Sequence, residues 1–215
     1  VMRVAPIGLY LGDQNIPDEE VAELGAKTAA LTHGHPLGYI PAAAFAHIIN
    51  LVSHNKDISL LDAVRDSLLM TKRLFSQSRY FCDFSEIMEK AIKLSREDLD
   101  DLDAIYKIGQ GWVAEETLAI AIYCALKYSN DFEKAIIASV NHSGDSDSTG
   151  SVTGNILGAY LGLSKIPQKF LDNLELKDVI TEIADDLYND CQMNERGSYY
   201  DEKWIKKYVD FSYRR

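Results

Sequence analysis

The sequence is short of positive charge, of β-strand patterns and of long apolar runs. Lysine and arginine total 22 against 33 aspartates and glutamates, which gives a formal net charge of −11. That balance argues against general nucleic-acid binding. No apolar run approaches the roughly 20 residues that span a bilayer, so we expect no membrane segment. The chain has no period-two alternation and no fixed-period repeat, and it therefore predicts an all-α fold.

The sequence also lacks paired cysteines. Its three cysteines, Cys82, Cys124 and Cys191, are widely spaced, and none lies at metal-ligand spacing from a histidine. An odd number at such spacings indicates free thiols in a reducing compartment rather than disulfides or a zinc site. We therefore expect a cytoplasmic location.

Apolar positions at helical spacing recur along the chain, which is 47% hydrophobic and able to bury a substantial core. We predict a helix that starts at Pro17. Its proposed apolar face consists of Val21, Leu24, Thr28 and Leu31. Further helices are predicted over 41–52, 59–75, 85–94, 132–140 and 177–188. On the first of these, His47 is expected in the core.

Two other stretches have distinct compositions. Four aspartates between positions 98 and 103 are interpreted as a solvated loop, with a metal site as the alternative. A Gly-Gln-Gly turn at 109–111 precedes a helix with Glu115 and Glu116 in its first turn, where acids favour the helix dipole. The rest of that helix, up to Leu126, is too apolar for a surface position, so we place it centrally.

The most informative stretch is residues 142–162, HSGDSDSTGSVTGNILGAYLG. Asp145 and Asp147 lie two residues apart, a spacing that would separate them by roughly 200° on a helix. We therefore predict that an open loop holds both carboxylates and that Ser148 or Thr149 caps the helix after it. Glycines recur on that helix at every fourth position and predict a close neighbour, such as another helix backbone, along one face. They are Gly150, Gly154, Gly158 and Gly162.

The two carboxylates have four possible interpretations. A capping loop without a ligand is the simplest. An EF-hand is excluded because its twelfth position, which should be Glu, is Ile156. A phosphatase of the haloacid dehalogenase type also has a DxDxT motif, but it needs a parallel α/β domain that this sequence does not predict. The fourth interpretation is a divalent-metal site formed by hard oxygen ligands from Asp145, Asp147 and Ser148.

This stretch resembles the C-terminal metal motif of the ADP-ribosylglycohydrolases, in which a Gly-Asp-x-Asp-Thr loop opens a small-residue helix and ligates two divalent ions. Asp145 and Asp147 fall on the two aspartates, and Ser148 replaces the threonine. Three more segments resemble the family in the same order. They are VMRVAP with Met2 and Arg3, LTHGHP with His33, and GQGWVAEE with Gly109, Gly111 and Trp112.

The resemblance implies a compact orthogonal multi-helix bundle, which we take as a single domain over 1–215. It implies a hydrolase that removes ADP-ribose from modified protein side chains or related ADP-ribosyl compounds, with two Mg²⁺ or Mn²⁺ ions. Asp145, Asp147 and Ser148 would bind metal. The substrate-binding residues would be Met2, Arg3, His33, Gly109, Gly111 and Trp112. Without the resemblance, each of three residues also has an ordinary structural interpretation. Arg3 would be an exposed cation, His33 a helix cap or a core residue, and Trp112 a core residue.

The family also has an N-terminal part with a Thr-Asp-Asp ligand set and an acidic residue near the scissile bond. No Thr-Asp-Asp occurs in this sequence. We therefore expect an N-terminally incomplete domain whose metal site is half present, and whose catalytic acid belongs to a complementing N-terminal segment or another chain. The alternative is a non-catalytic ADP-ribose-binding or interaction module that has lost activity.

Overall fold

The computed structural model describes residues 1–12, 16–189 and 202–210, and within these ranges it contains helices and no strands. This confirms the prediction of an all-α fold. The first six helices are α1 (Ala5–Leu11), α2 (Asp18–Ala30), α3 (Pro36–His54), α4 (Leu60–Phe75), α5 (Phe81–Leu94) and α6 (Asp101–Ile108). They are followed by α7 (Ala114–Lys127), α8 (Phe132–Val140), α9 (Ser146–Leu161), α10 (Lys169–Asp172), α11 (Lys177–Tyr188) and α12 (Glu202–Tyr208).

The chain divides into two compact units, Val1–Asp172 and Asn173–Arg215. In the smaller unit, the carboxylate of Asp186 on α11 accepts hydrogen bonds from Lys207 and Tyr208 on α12. Phe211, Tyr213 and Cys191 lie outside the described residues. The larger unit contains every residue singled out as a metal or substrate ligand, and the single domain over 1–215 stays a prediction.

Helix α3 forms the centre of the larger unit and packs against α1, α2, α4, α5, α7 and α9. It begins at Pro36 rather than near Pro41, because Pro36 occupies the first helical position and His35 caps it. At 19 residues and a mean hydropathy of 1.3 it is long and apolar enough to cross a membrane, contrary to our expectation for apolar runs. However, 67% of that stretch is buried inside the fold, as in a soluble core helix.

The buried side of α2 differs from the predicted one. Leu31 is 82% exposed, and Gly25 lies in the contact with α3. A Cβ atom added at Gly25 would lie 2.7 Å from the Cβ of Ala46 and 2.9 Å from the carbonyl oxygen of Ala42. Small side chains therefore bring α2 and α3 close together, and the larger apolar residues do not define the interface.

The prediction of a solvated loop at 98–103 is right for the exposed Asp98 and Asp100 and wrong for Asp101 and Asp103, which belong to α6. Asp100 caps α6 through the backbone N–H of Leu102. The carboxylate of Asp101 accepts hydrogen bonds from the hydroxyls of Tyr123 and Tyr128 at 2.7 and 2.8 Å and pairs with Lys127 at 2.9 Å. Burial alone would raise the pKa of Asp101, but these partners keep it below its usual value.

The glycine face of α9 does not meet another helix backbone as predicted. A Cβ atom at Gly150 would lie 2.6 Å from the side chain of Val140, and one at Gly154 would lie 3.6 Å from that of Ile136. Both neighbours are branched side chains of α8 or its C-terminal end. Their methyl groups fill the space beside the glycines, so only Gly150 is in tight contact.

Candidate functional site

A cavity of about 640 Å³ lies in the larger unit where the four predicted segments meet. Each segment contributes to its lining, in the form of Met2, His33, Trp112, Asp145 and Ser148. These residues are far apart in sequence, so their convergence results from the helix packing. The volume is typical of cavities that enclose a small molecule.

Three long helices begin at this cavity. The first turns of α3, α7 and α9 contribute Leu37, Ala114 and Ser148 to its lining. A helix N-terminus carries unpaired backbone N–H groups and a partial positive charge of roughly half an elementary charge. The dipoles of these helices therefore favour an anion in the cavity, against the net charge of −11 and the carboxylates of Asp145 and Glu115 in the lining.

Helix α9 begins at Ser146, with Asp145 as its N-cap, and the predicted cap at Ser148 or Thr149 is wrong. Asp147 thus belongs to the first turn and not to an open loop. The two carboxyl groups nevertheless meet, because Asp145 has a non-helical ψ of 73°. The pKa of Asp147 is lowered by the contact between its side chain and the carboxyl group of Asp145 and by the hydrogen bond that it accepts from the backbone N–H of Ser148 at 2.7 Å. The Asp145 side chain makes no capping bond, which disfavours a purely capping role.

The donor set at this turn suits a hard cation. Asp145 and Ser148 line the cavity and Asp147 adjoins Asp145, so two carboxylates and one hydroxyl are close to one another. Oxygen ligands of this kind are those preferred by Mg²⁺ and Mn²⁺. Nowhere in the described ranges do three or more His, Cys, Asp or Glu side chains form a group that could hold a metal. The turn therefore fits part of a ligand set.

The glycine turn at 109–111 packs directly against the turn at Asp145. The backbone N–H of Asp145 donates to the carbonyl oxygen of Gln110 at 2.8 Å. A Cβ atom at Gly144 would lie 1.9 Å from that oxygen, and Gly111 has a φ of +81°, which favours glycine. The two turns can approach this closely only because these positions have no side chain.

Two residues at the start of α7 hold the glycine turn in place. The carboxylate of Glu116 accepts hydrogen bonds from the backbone N–H groups of Gln110 and Gly111 at 2.9 and 3.0 Å. The hydroxyl of Thr117 donates to the carbonyl of Gly111 at 2.7 Å. Neither role was predicted from the sequence. The signal was a Glu at the third helical position, from which a side chain can bind N–H groups that precede the helix.

The predicted substrate ligands occupy different positions around the cavity. Met2 and His33 line it, as does Trp112, whose side chain is 66% exposed and therefore not a core residue. Gly111 lies beside Asp145 and Thr149, and Gly109 leaves room for the carboxylate of Glu116. These two glycines act here through the backbone geometry, and substrate contact by them stays a prediction.

Arg3 does not line the cavity. Its guanidinium donates to the carbonyl of Thr28 at 2.9 Å and to the hydroxyl of Thr32 at 2.7 Å. The first contact satisfies one of the free carbonyls at the end of α2. The second links Arg3 to His33, because the Thr32 hydroxyl is 2.8 Å from Nδ1 of that histidine.

Two further cavity residues were not predicted as ligands. Glu115 is half-buried, and burial raises its pKa. His35 caps α3 by accepting the backbone N–H of Leu37 on Nδ1 at 3.2 Å, and its ring packs on Tyr80 with centroids 4.4 Å apart. The position of His35 directly before Pro36 was the available signal for a helix start.

Comparison with known proteins agrees with this architecture. The family model for ADP-ribosylglycohydrolase matches residues 1–197. ADP-ribosylhydrolase ARH3 of Homo sapiens is 26% identical over 200 residues, which cover 81% of this chain and 52% of that protein. An uncharacterized protein of Archaeoglobus fulgidus is 30% identical over 188 residues, covering 87% of this chain and 56% of its own length.

A third relative, ADP-ribosylarginine hydrolase Tri1 of Serratia proteamaculans, is 36% identical over 73 residues, or 34% of this chain and 20% of that protein. The chain spans about half the length of the ARH3 relatives that it matches. Because the family model covers nearly all of the sequence, the chain belongs to the ADP-ribosylglycohydrolase family.

Proposed function

We propose that this chain binds ADP-ribose in the cavity and forms the side of an ADP-ribosylglycohydrolase site that contains Asp145, Asp147 and Ser148. The reaction would release ADP-ribose from modified protein side chains or related ADP-ribosyl compounds. The observation that carries the proposal is the meeting of all four family-like segments at one cavity of about 640 Å³. Membership of the family and the hydrolase names of its relatives support the reaction class.

The helix dipoles around the cavity favour an anionic ligand, against the carboxylates of Asp145 and Glu115 in its lining. The diphosphate of ADP-ribose would lie near the N-termini of α3, α7 and α9, whose dipoles favour negative charge. The exposed ring of Trp112 offers an apolar face at the same cavity, suited to the flat adenine base. The ligand would thus have a polar middle and an apolar end, and the lining provides a partner for each.

The oxygen ligands at the start of α9 support Mg²⁺ or Mn²⁺ as cofactors. Asp145 and Asp147 would hold such ions together with the hydroxyl of Ser148, and further ligands would have to come from outside this group. When bound, a divalent ion supplies charge stabilisation and orients the sugar hydroxyls. The protein would position these oxygens so that the ions lie beside the ribose of the bound ligand.

Calorimetric titration with ADP-ribose, in Mg²⁺, in Mn²⁺ and with a chelator, tests the binding proposal. An assay for release of ADP-ribose from peptides with ADP-ribosylated side chains, arginine among them, tests the reaction. We expect saturable binding that strengthens with metal. Binding without any turnover would favour the alternative, a non-catalytic ADP-ribose-binding module. Absence of binding under all three conditions would contradict both.

The metal role of the carboxylates is tested separately by thermal unfolding with and without Mn²⁺. Replacement Asp147→Asn removes one anionic ligand and should abolish the stabilisation by metal. Asp98→Asn is the matched control, because Asp98 is an exposed aspartate ahead of α6. If Mn²⁺ raised the unfolding temperature of Asp147→Asn as much as that of the wild type, the ions would bind elsewhere.

A further inference from the structure

The residues behind His33 form a chain of hydrogen bonds that starts outside the cavity. Arg3 donates to the hydroxyl oxygen of Thr32 at 2.7 Å, and this oxygen lies 2.8 Å from Nδ1 of His33. His33 lines the cavity, whereas neither Arg3 nor Thr32 does. The arrangement connects an arginine that does not line the cavity with a histidine that does.

The direction of each hydrogen bond follows from the chemistry of its members. A guanidinium has donors only, so the Thr32 oxygen accepts from Arg3. Thr32 has a single hydroxyl hydrogen, and its two possible acceptors are Nδ1 of His33 at 2.8 Å and the carbonyl of Ala29 at 3.5 Å. That carbonyl already accepts the backbone N–H groups of Thr32 and His33. The hydroxyl hydrogen therefore goes to Nδ1.

A neutral imidazole carries one proton, so a ring that accepts on Nδ1 has its hydrogen on Nε2. His35 reaches the same state by another route, because its Nδ1 accepts the backbone N–H of Leu37 at 3.2 Å. In the part of the chain that the structure describes, no hydrogen bond engages Nε2 of either ring. Both histidines thus offer an N–H donor at the cavity.

We propose that Arg3 and Thr32 are positioning residues that fix the Nε2–H tautomer and the orientation of His33, so that His33 donates to an acceptor oxygen of the ligand. Neither His33 nor His35 is then a general base, since the free nitrogen of each already carries its proton. The identity of the acceptor as a phosphate or ribose oxygen of ADP-ribose rests on the proposed function. The tautomer does not.

The test begins with the protein without ligand, selectively labelled with ¹⁵N-histidine. Long-range ¹H–¹⁵N correlation spectra are recorded well above the usual histidine pKa of about 6.5. We expect His33 to show an unprotonated Nδ1 and a protonated Nε2. Thr32→Val keeps the shape of the side chain and removes the hydroxyl. It should move the ¹⁵N chemical shifts of both His33 ring nitrogens towards the values of a tautomer mixture, and Thr32→Ser should restore them. A protonated Nδ1 in the wild type, or no change in Thr32→Val, would overturn the proposal.

Arg3 is tested by Arg3→Met, with Arg65→Met on α4 as the control for loss of an exposed arginine. Without Arg3, the Thr32 hydroxyl is free to accept, and the tautomer of His33 should become mixed as in Thr32→Val. A role limited to capping α2 would lower the unfolding temperature of Arg3→Met and leave the His33 spectrum unchanged. That result would remove Arg3 from the proposal.

Calorimetry with ADP-ribose in the same variants tests the role in binding. Loss of one oriented hydrogen bond should weaken affinity about three- to tenfold in Thr32→Val, with recovery in Thr32→Ser. If the wild type does not bind ADP-ribose, the proposed function fails while the tautomer result stands. If the wild type binds and the tautomer changes without loss of affinity, the proposed role of His33 as a donor to the ligand is wrong.

Discussion

Nε2 of His142 lies 2.9 Å from the hydroxyl oxygen of Thr149, and this contact ties the end of α8 to the start of α9. The backbone N–H of Gly144 donates to Nδ1 of the same ring at 3.1 Å, so Nε2 carries the proton and donates to Thr149. Thr149 in turn donates to the carbonyl of Ser139 at 2.6 Å. That carbonyl belongs to the last turn of α8, where the helix itself provides no donor. The turn that bears Asp145 is therefore held from behind by neutral groups.

Replacement Thr149→Val should destabilise the protein, because it leaves the buried Ser139 carbonyl and the partly buried His142 N–H without this partner. The expected loss is about 1–3 kcal/mol in the free energy of unfolding. Thr149→Ser keeps the hydroxyl and is the matched control, with a smaller loss for the missing methyl group. Urea denaturation at neutral pH measures both. Equal stability of Thr149→Val and the wild type would show that the hydroxyl is not needed for this connection.

Two glycines on either side of the start of α9 should respond oppositely to alanine. Gly144→Ala places a Cβ 1.9 Å from the Gln110 carbonyl, and the backbone has to move. A loss of about 1–3 kcal/mol is typical of such overpacking. At Gly154 the Cβ would lie 3.6 Å from Ile136, an ordinary contact, so Gly154→Ala should gain roughly 0.5–1 kcal/mol in a helix interior. Denaturation of both variants checks the contrast, and a shared sign would contradict it.

The sequence was informative where a local rule decides the structure. The predicted helix over 132–140 has the bounds of α8, because Asp131, the residue before it, is a good N-cap and accepts the backbone N–H of Lys134. The apolar stretch before Leu126 is buried in α7, as its composition required. Residues from all four family-like segments line one cavity, although Arg3, Gly109 and Gly111 do not.

The sequence was misleading where several residues satisfy the same local rule. Suitable N-cap residues for α9 include Asp145, Ser148 and Thr149. The helix starts directly after Asp145, whose backbone N–H donates to the carbonyl of Gln110, 35 positions earlier in the sequence. The face of α2 was misassigned because Leu31 has a stronger apolar signal than Gly25, although only a small residue permits the close contact with α3. Long-range contacts of this kind leave no periodic pattern.

Glu115 and Glu116 are adjacent, yet the same substitution should have opposite effects on them. Glu116→Gln weakens two charge-assisted bonds to the N–H groups of Gln110 and Gly111, and we expect a loss of about 1–2 kcal/mol. Burial raises the pKa of Glu115, so its charged form is disfavoured in the fold and Glu115→Gln should be slightly stabilising at neutral pH. Thermal and urea unfolding of the pair check the signs. A loss in both variants would mean that Glu115 also has a structural partner.

His47 is a buried histidine whose two ring nitrogens have no hydrogen-bond partner, and its side chain is only 3% exposed. Burial lowers its pKa, although the carboxylate of Asp18, 3.8 Å from Nε2, and that of Asp66 act in the opposite direction. The folded state therefore binds a proton less readily than the unfolded state. Stability is fully present above the unfolded pKa of about 6.5 and falls as the pH drops below it.

Replacement His47→Gln removes this titration, so the wild type should lose stability relative to the variant between neutral and mildly acidic pH. Asp18→Asn retains an oxygen for the amide of Asn50, which donates to Asp18 at 3.0 Å, but it removes the attraction that raises the pKa of His47. Its acid sensitivity should therefore exceed that of the wild type. Urea denaturation across this pH range measures all three proteins. If acid instead stabilised the wild type relative to His47→Gln, attraction by Asp18 and Asp66 would outweigh burial and the sign of the pKa shift would be reversed.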